Sequence, residues 1–177
     1  MIANTTVTLL RLNVSEHDDY ALTLPIRDLH EFFVAMDWYE DFLDKNYITI
    51  ELDGAFDFLV YEESIDLELL NNCLLRFQQL SDLEQETVIW LTHLNGDTLS
   101  ALHYSLVNFN KYLLVPAIYR TEETIAKFVI KQIYPNNLLN IFEDSICFED
   151  FCNCMFKNQI AFYIDNRILV KIVDLID

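Results

Sequence analysis

Between Pro25 and Lys45 apolar side chains return at every third or fourth position. Ile26, Leu29, Phe32, Phe33, Met36, Tyr39, Phe42 and Leu43 trace that rhythm, which predicts one amphipathic helix with Pro25 in its first turn. Asp37, Glu40, Asp41 and Asp44 fall on one stripe of the same predicted helix, separated by steps that rise about 5–6 Å. At Tyr47 the period changes to two. Ile48, Ile50 and Leu52 are expected on one face of a strand, with Tyr47, Thr49, Glu51 and Asp53 on the other, at about 6.7 Å per step. Upstream, Thr5–Val14 alternates well enough for an opening strand, Ser15–Asp19 reads as a polar turn, and Tyr20–Leu24 as a second strand. Asp53-Gly54 marks a turn into a further apolar run, Phe56–Val60. These elements make a small antiparallel α+β unit ending near Tyr61.

From Ser64 the pattern turns helical. Ser64 is placed to cap a helix whose apolar face is Leu67, Leu70, Cys73, Leu74 and Phe77. Ser81 and Glu84 have capping-box spacing and open a second helix, which Asn95-Gly96 ends near Leu94. Asp97 or Thr98 caps a third, through Leu106. Short connections between the three predict a small bundle. Asn108–Tyr119 reads as a strand interrupted by Pro116, hence a sheet edge. Its Leu113, Leu114, Val115 and Ile118 suit either the core or a subunit contact.

Thr121 caps Glu122–Tyr134, with acids first and Lys127 and Lys131 later, as the helix dipole favours. Asn136–Asp144 is mixed and anchored by Leu138, Leu139, Ile141 and Phe142. Phe148–Lys157 is a short helix, and Gln159–Ile164, Asp165-Asn166 and Arg167–Val173 make a hairpin around a two-residue turn. The chain therefore reads as α+β in three parts: residues 1–61 an N-terminal α+β unit, 62–107 a central helical bundle, and 108–177 a C-terminal α+β unit with a closing hairpin.

Composition narrows the chemistry. Of the 177 residues 53% are hydrophobic and 14% aromatic, enough for a real core and against wholesale disorder. Two glycines in the whole chain leave no room for a dinucleotide or phosphate-loop fingerprint. Cys147, Cys152 and Cys154 are spaced C-x4-C-x-C without the paired C-x2-C of zinc sites. With Cys73 they read as reduced thiols of a cytoplasmic protein. His17, His30, His93 and His103 pair with no Cys or Ser in a recognisable motif. The acidic doublets Asp18-Asp19, Glu40-Asp41, Glu62-Glu63, Glu143-Asp144 and Glu149-Asp150 lack the loop of a calcium site. No apolar run approaches the ~20 residues of a membrane span. Met1–Asn13, with Arg11 inside its apolar segment, is not expected to be a signal peptide.

The charge is the feature left to explain. The chain carries 29 Asp and Glu against 11 Lys and Arg, a net −18. Residues 1–60 hold 12 acids and 3 bases, whereas residues 96–140 hold 3 and 4. So much like charge opposes folding, rules out direct binding to nucleic acid or an anionic membrane, and favours a basic partner, the alternative being that it serves solubility in an acidic proteome. A hydrolytic site needs two or three carboxylates and leaves the others without a role, so a non-enzyme without cofactor or metal is expected. B-DNA carries one charge per ~1.7 Å of axis, so 18 charges correspond to about 31 Å of duplex. A compact domain of this length is about 40 Å across. The two densities are comparable. Such a surface releases a partner's counterions as DNA does, yet offers no base edges.

Several stretches carry a resemblance. The order Leu24-Pro25-Ile26, acidic helix, acid-and-aromatic strand Tyr47–Phe58 and Glu62-Glu63-Ser64-Ile65-Asp66-Leu67-Glu68-Leu69-Leu70-Asn71 is similar to the ArdA antirestriction proteins. The leucine-rich Leu74–Leu94, the helix from Thr121, Pro135-Asn136-Asn137-Leu138-Leu139 and the closing hairpin resemble them too. The chain departs from the family in its nearly neutral 96–140 and in a less acidic Cys152–Lys157. The resemblance implies an elongated three-part fold and a homodimer shaped like bent duplex DNA. It implies a protein of phages, plasmids or transposons that blocks type I restriction–modification enzymes in the bacterial cytoplasm. Asp37, Glu40, Asp41, Asp44, Glu51, Asp53, Asp57, Glu62, Glu63, Asp66 and Glu68 are the expected phosphate surrogates. A Cas effector, whose guide–target channel is also basic, is the alternative target. An acidic adaptor or immunity protein for one basic partner is the alternative of another class.

Overall fold

The computed structural model describes residues 4–12, 19–61, 64–134 and 146–176. Glu62, Glu63, most of the turn expected at 15–19 and the mixed segment 136–144 lie outside them. The fold is α+β, with two antiparallel three-stranded sheets. In the first, β1 (Thr5–Arg11) is central, between β2 (Asp19–Leu24) and β3 (Tyr47–Gly54). Alternation buries Thr5, Val7 and Leu9 of β1 with Leu22 and Leu24 of β2. At the end of β3 the chain takes φ +105° at Gly54, where a Cβ would stand 2.5 Å from the Asn4 carbonyl oxygen, so only glycine fits.

The period of two expected along the whole of β3 does not hold. The register slips between Thr8, opposite Glu51, and Leu9, opposite Thr49, which leaves Ile50 as the extra residue of a bulge. Tyr47 and Thr49 are therefore buried, Leu52 is buried with them, and Ile50 is exposed. Glu51 and Asp53 still point outward.

The single helix expected over 25–45 is two: α1 (Leu29–Ala35) and α2 (Tyr39–Leu43). Asp28, not a proline first turn, starts α1 by accepting the Glu31 N–H at 2.9 Å. Pro25 lies outside the helix. Its neighbour Ile26 is held at both backbone groups by buried Asn71, with N–H donation at 2.7 Å and carbonyl acceptance at 2.9 Å. Between α1 and α2 the chain reverses through Asp37, at φ 59°.

The next helices follow their local signals closely. Asp66, rather than Ser64, caps α3 (Leu67–Phe77) by accepting from Leu69 N–H. Ser81 and Glu84 form the expected capping box of α4 (Asp82–Leu94), and Thr98 caps α5 (Leu99–Asn108). Phe56–Val60 is not a strand: residues 55–58 turn, and Val60 makes an isolated parallel bridge to Thr98.

A 3-10 turn, Phe109–Lys111, leads into β4 (Tyr112–Val115), an edge strand as expected. Thr121 caps α6 (Glu122–Ile133), and α7 (Phe148–Lys157) packs on it. The hairpin of β5 (Ala161–Ile164) and β6 (Arg167–Lys171) turns through Asp165-Asn166 and precedes α8 (Val173–Ile176). Central β6 buries Ile168, Leu169 and Val170 in succession.

One buried cluster runs from Val7 through α3 to Leu106 and includes both the first sheet and the central helices. The boundary expected at 61/62 falls inside that cluster. A second cluster gathers Val115, α6, α7 and the closing hairpin. A third, small cluster packs Leu91 of α4 with Leu114 of β4 and Leu169 of β6. Leu114 and Val115 are thus core, while Ile118 is exposed.

Candidate partner-binding surface

The first sheet packs its inner face on the core, and among the described residues no helix covers its outer one. Cross-strand register sets three rows on that outer face. Thr23, Thr6 and Asp53 form one; Ala21, Thr8 and Glu51 the next; Asp19, Leu10 and Ile48 the third. Rows along a strand are about 6.7 Å apart and strands about 4.8 Å apart. The threonines suit a pleated surface and leave hydroxyls at the solvent side, with Thr6 and Thr23 at 3.5 Å Oγ1 to Oγ1. Asp19, Glu51 and Asp53 are exposed and make no ion pair among the described residues. Asp19 was not among the expected surrogates; its signal was the alternation of β2, which places it with Ala21 and Thr23.

The stripe expected at 37–44 is dismantled by the break between α1 and α2. Glu40 and Asp44 stay one helical turn apart and exposed, as the Asp44 N–H to Glu40 carbonyl bond shows. Asp37 is exposed in the reversing turn. Asp41, however, is 9% exposed and faces inward to Arg11, whose Nε and Nη2 both reach its Oδ2. That guanidinium also lies over the Trp38 ring, 5.5 Å from its centroid. Asp41 is therefore neutralised inside the fold and is not a surface phosphate surrogate.

The head of α3 is a further acidic site with its own internal uses. Asp66 caps the helix and also stands 3.4 Å from Lys45 Nζ. Glu68 is exposed, its Oε1 3.9 Å from His30 Nε2. Lys45, Asp66 and Glu68 line, with Phe42, Leu43 and Tyr47, a shallow cavity of about 130 Å³. Burial, helped by the negative charge of Asp66 and opposed by a backbone hydrogen bond at Leu67, pushes the Tyr47 phenol up to about 12. It is a neutral hydroxyl at physiological pH. Asp57 is exposed in the turn after β3. Glu62 and Glu63 lie outside the described residues.

Eight of the nine described candidates thus reach solvent, in separate patches on the outer sheet face, on α2, in two turns and at the head of α3. The excess charge follows the two cores. Residues 1–108 carry 20 acids and 4 bases; residues 109–177 carry 9 and 7.

Elsewhere His93, Cys73 and Cys152 are tied into the fold. His93 Nδ1 lies 2.6 Å from Asp97 Oδ1, with its ring 4.4 Å from that of Phe58. Burial pushes the Cys73 thiol up to about 11 against the pull of Arg76, and raises Cys152 as well, with Glu122 adding to it. Among the described residues no group of three or more His, Cys, Asp and Glu is placed to hold a metal ion, and no helix is long and apolar enough to cross a membrane. Comparison with known proteins found no matching family model, no similar curated protein and no solved structure of similar fold.

Proposed function

We propose that the chain is an acidic DNA-mimic inhibitor that occupies the DNA-binding groove of a host defence enzyme, first among them a type I restriction–modification enzyme. The observation that carries the reading is the outer face of the first sheet, where Glu51 and Asp53 stand beside threonines, Asp19 shares the face, and none of the three makes an ion pair among the described residues. Glu51 and Asp53 are spaced by about 6.7 Å of strand, close to the axial rise of two nucleotides in one DNA strand, about 6.8 Å. Because secondary structure holds the carboxylates in place, little ordering entropy is lost when a basic groove closes on them. Glu40, Asp44, Asp57 and Glu68 extend the negative surface of the same unit. The likeness to ArdA proteins points the same way and adds a homodimer acting in the bacterial cytoplasm.

The test is competition. Intact protein is titrated into a type I restriction enzyme, and into a Cas effector, with duplex bound, over a series of salt concentrations. Displacement of DNA that weakens steeply with salt is expected. An enzyme that binds the protein while keeping its DNA identifies an acidic adaptor instead, and enzymes that ignore the protein altogether remove the reading.

A further inference from the structure

The C-terminal unit holds a cavity of a different character from the acidic surface. Where β4 ends at Val115, a turn closed by the Tyr119 N–H to Pro116 carbonyl bond at 3.0 Å meets the tip of the β5–β6 hairpin. Together they enclose about 390 Å³. Buried Val115 and Ile168 form an apolar floor, and Tyr119, Arg120 and Asn166 supply the polar rim. In a chain with 29 acids, none of the described lining residues is acidic.

Neighbouring charges are engaged elsewhere. Glu123 pairs with Lys127 at 2.7 Å, Glu122 takes a hydrogen bond from Asn153 at 3.4 Å, and Arg167 pairs with Glu86. Asp165 is exposed beside Asn166 without lining the cavity. Arg120 makes no ion pair among the described residues; its Nε donates to the Ala117 carbonyl at 3.5 Å, which sets the guanidinium against the turn. The Tyr119 ring is held by Phe128, 4.6 Å between centroids.

The geometry points to a binding site for a small molecule that carries an oxyanion, carboxylate or phosphate, on a flat or apolar body. The oxyanion meets the fixed fork of Arg120 and the Asn166 amide, and the body lies over Val115 and Ile168 beside Tyr119. An apolar floor with a few convergent polar groups, and a volume in the roughly 300–1,000 Å³ range of ligand pockets, fits such an occupant. The site is independent of the proposed mimicry, since it takes an anion rather than a basic groove.

Isotope-labelled intact protein is titrated with benzoate, uridine monophosphate and inorganic phosphate while backbone amide shifts are followed. Saturable shifts confined to residues 115–120 and 166–168 are expected with one of the two organic anions. Benzoate alone saturating assigns a carboxylate ligand, and uridine monophosphate alone a phosphate ester. Arg120→Gln is expected to weaken that binding by about tenfold or more, because a charge-assisted hydrogen bond is lost. Arg27→Gln, at another exposed arginine, leaves it unchanged. Shifts that fail to saturate, spread over the surface or survive Arg120→Gln overturn the site. So does inorganic phosphate binding as tightly as the organic anions, because the floor then contributes nothing.

Discussion

The rings of Phe33 and Phe42 stack 4.4 Å apart and within 13° of parallel. On one continuous helix, nine residues place two side chains on opposite faces and about 13.5 Å apart along the axis. The stack therefore requires the reversal at Met36–Asp37, and the burial of both rings outweighs the periodicity that runs through the break. Phe33→Ala or Phe42→Ala is expected to destabilise the fold by about 3–5 kcal/mol, with about 0.5–1.5 kcal/mol of coupling between them in a double-mutant cycle. Urea unfolding measures both. Additive losses would show that the rings pack separately.

Arg11 ties the end of β1 to α2 through Asp41. Arg11→Met strands that buried carboxylate and is expected to cost about 2 kcal/mol, below the about 3–5 kcal/mol of a fully buried pair because Arg11 keeps some solvent access. Unfolding midpoints within about 0.5 kcal/mol of the parent would mean that Asp41 finds water instead.

The outer sheet face and Asp41 give opposite expectations for binding. Replacing Glu51 by Gln and Asp53 by Asn should leave stability within about 0.5 kcal/mol, since both side chains stand in solvent. If the face meets a basic groove, the slope of log affinity against log salt flattens by about 2, at about 0.9 per charge removed. Asp41→Asn should leave that slope alone. A salt series on the displaced enzyme reads all three, and an unchanged slope in the double variant takes the sheet face out of the interface.

Tyr47 gives a signature in alkali. Its phenol is held up to about 12 from an ordinary 10, so between these values the native state keeps a proton that the unfolded chain releases. The stabilisation is complete below pH 10 and is lost as pH rises towards about 12. Tyr47→Phe is expected to remove this part of the alkaline fall in the urea midpoint. A fall of the same steepness in the variant would assign it to other groups, Cys73 among them.

Several features that depend on residues a few positions apart were legible in the sequence, though the Asp28 and Asp66 caps were not. The Ser81–Glu84 capping box, the Thr98 and Thr121 caps, the bounds of α7 and the Asp165-Asn166 turn are the legible ones. The rest of what was illegible depends on distant partners. Phe33 needs Phe42; Ile50 bulges because β3 must match β1; Asn71, polar inside an apolar helix face, is explained by the backbone of Ile26, 45 residues away. The candidate surface divides in the same way. Exposure of acids followed from their chemistry, and Glu51 and Asp53 kept their side despite the bulge. Asp41 went inward because Arg11, thirty residues upstream, was waiting for it.

Unequal loading of the two cores has a dynamic consequence. A molecule whose first 108 residues hold 20 acids and 4 bases, and whose remainder is close to balanced, feels a torque in the field of any strongly cationic cleft. If the proposed partner offers such a cleft, the molecule turns as it approaches, a larger fraction of collisions present residues 1–108, and encounters become faster before any contact forms. Moving charge from the first core to the second at constant total would slow capture without altering a single interfacial group.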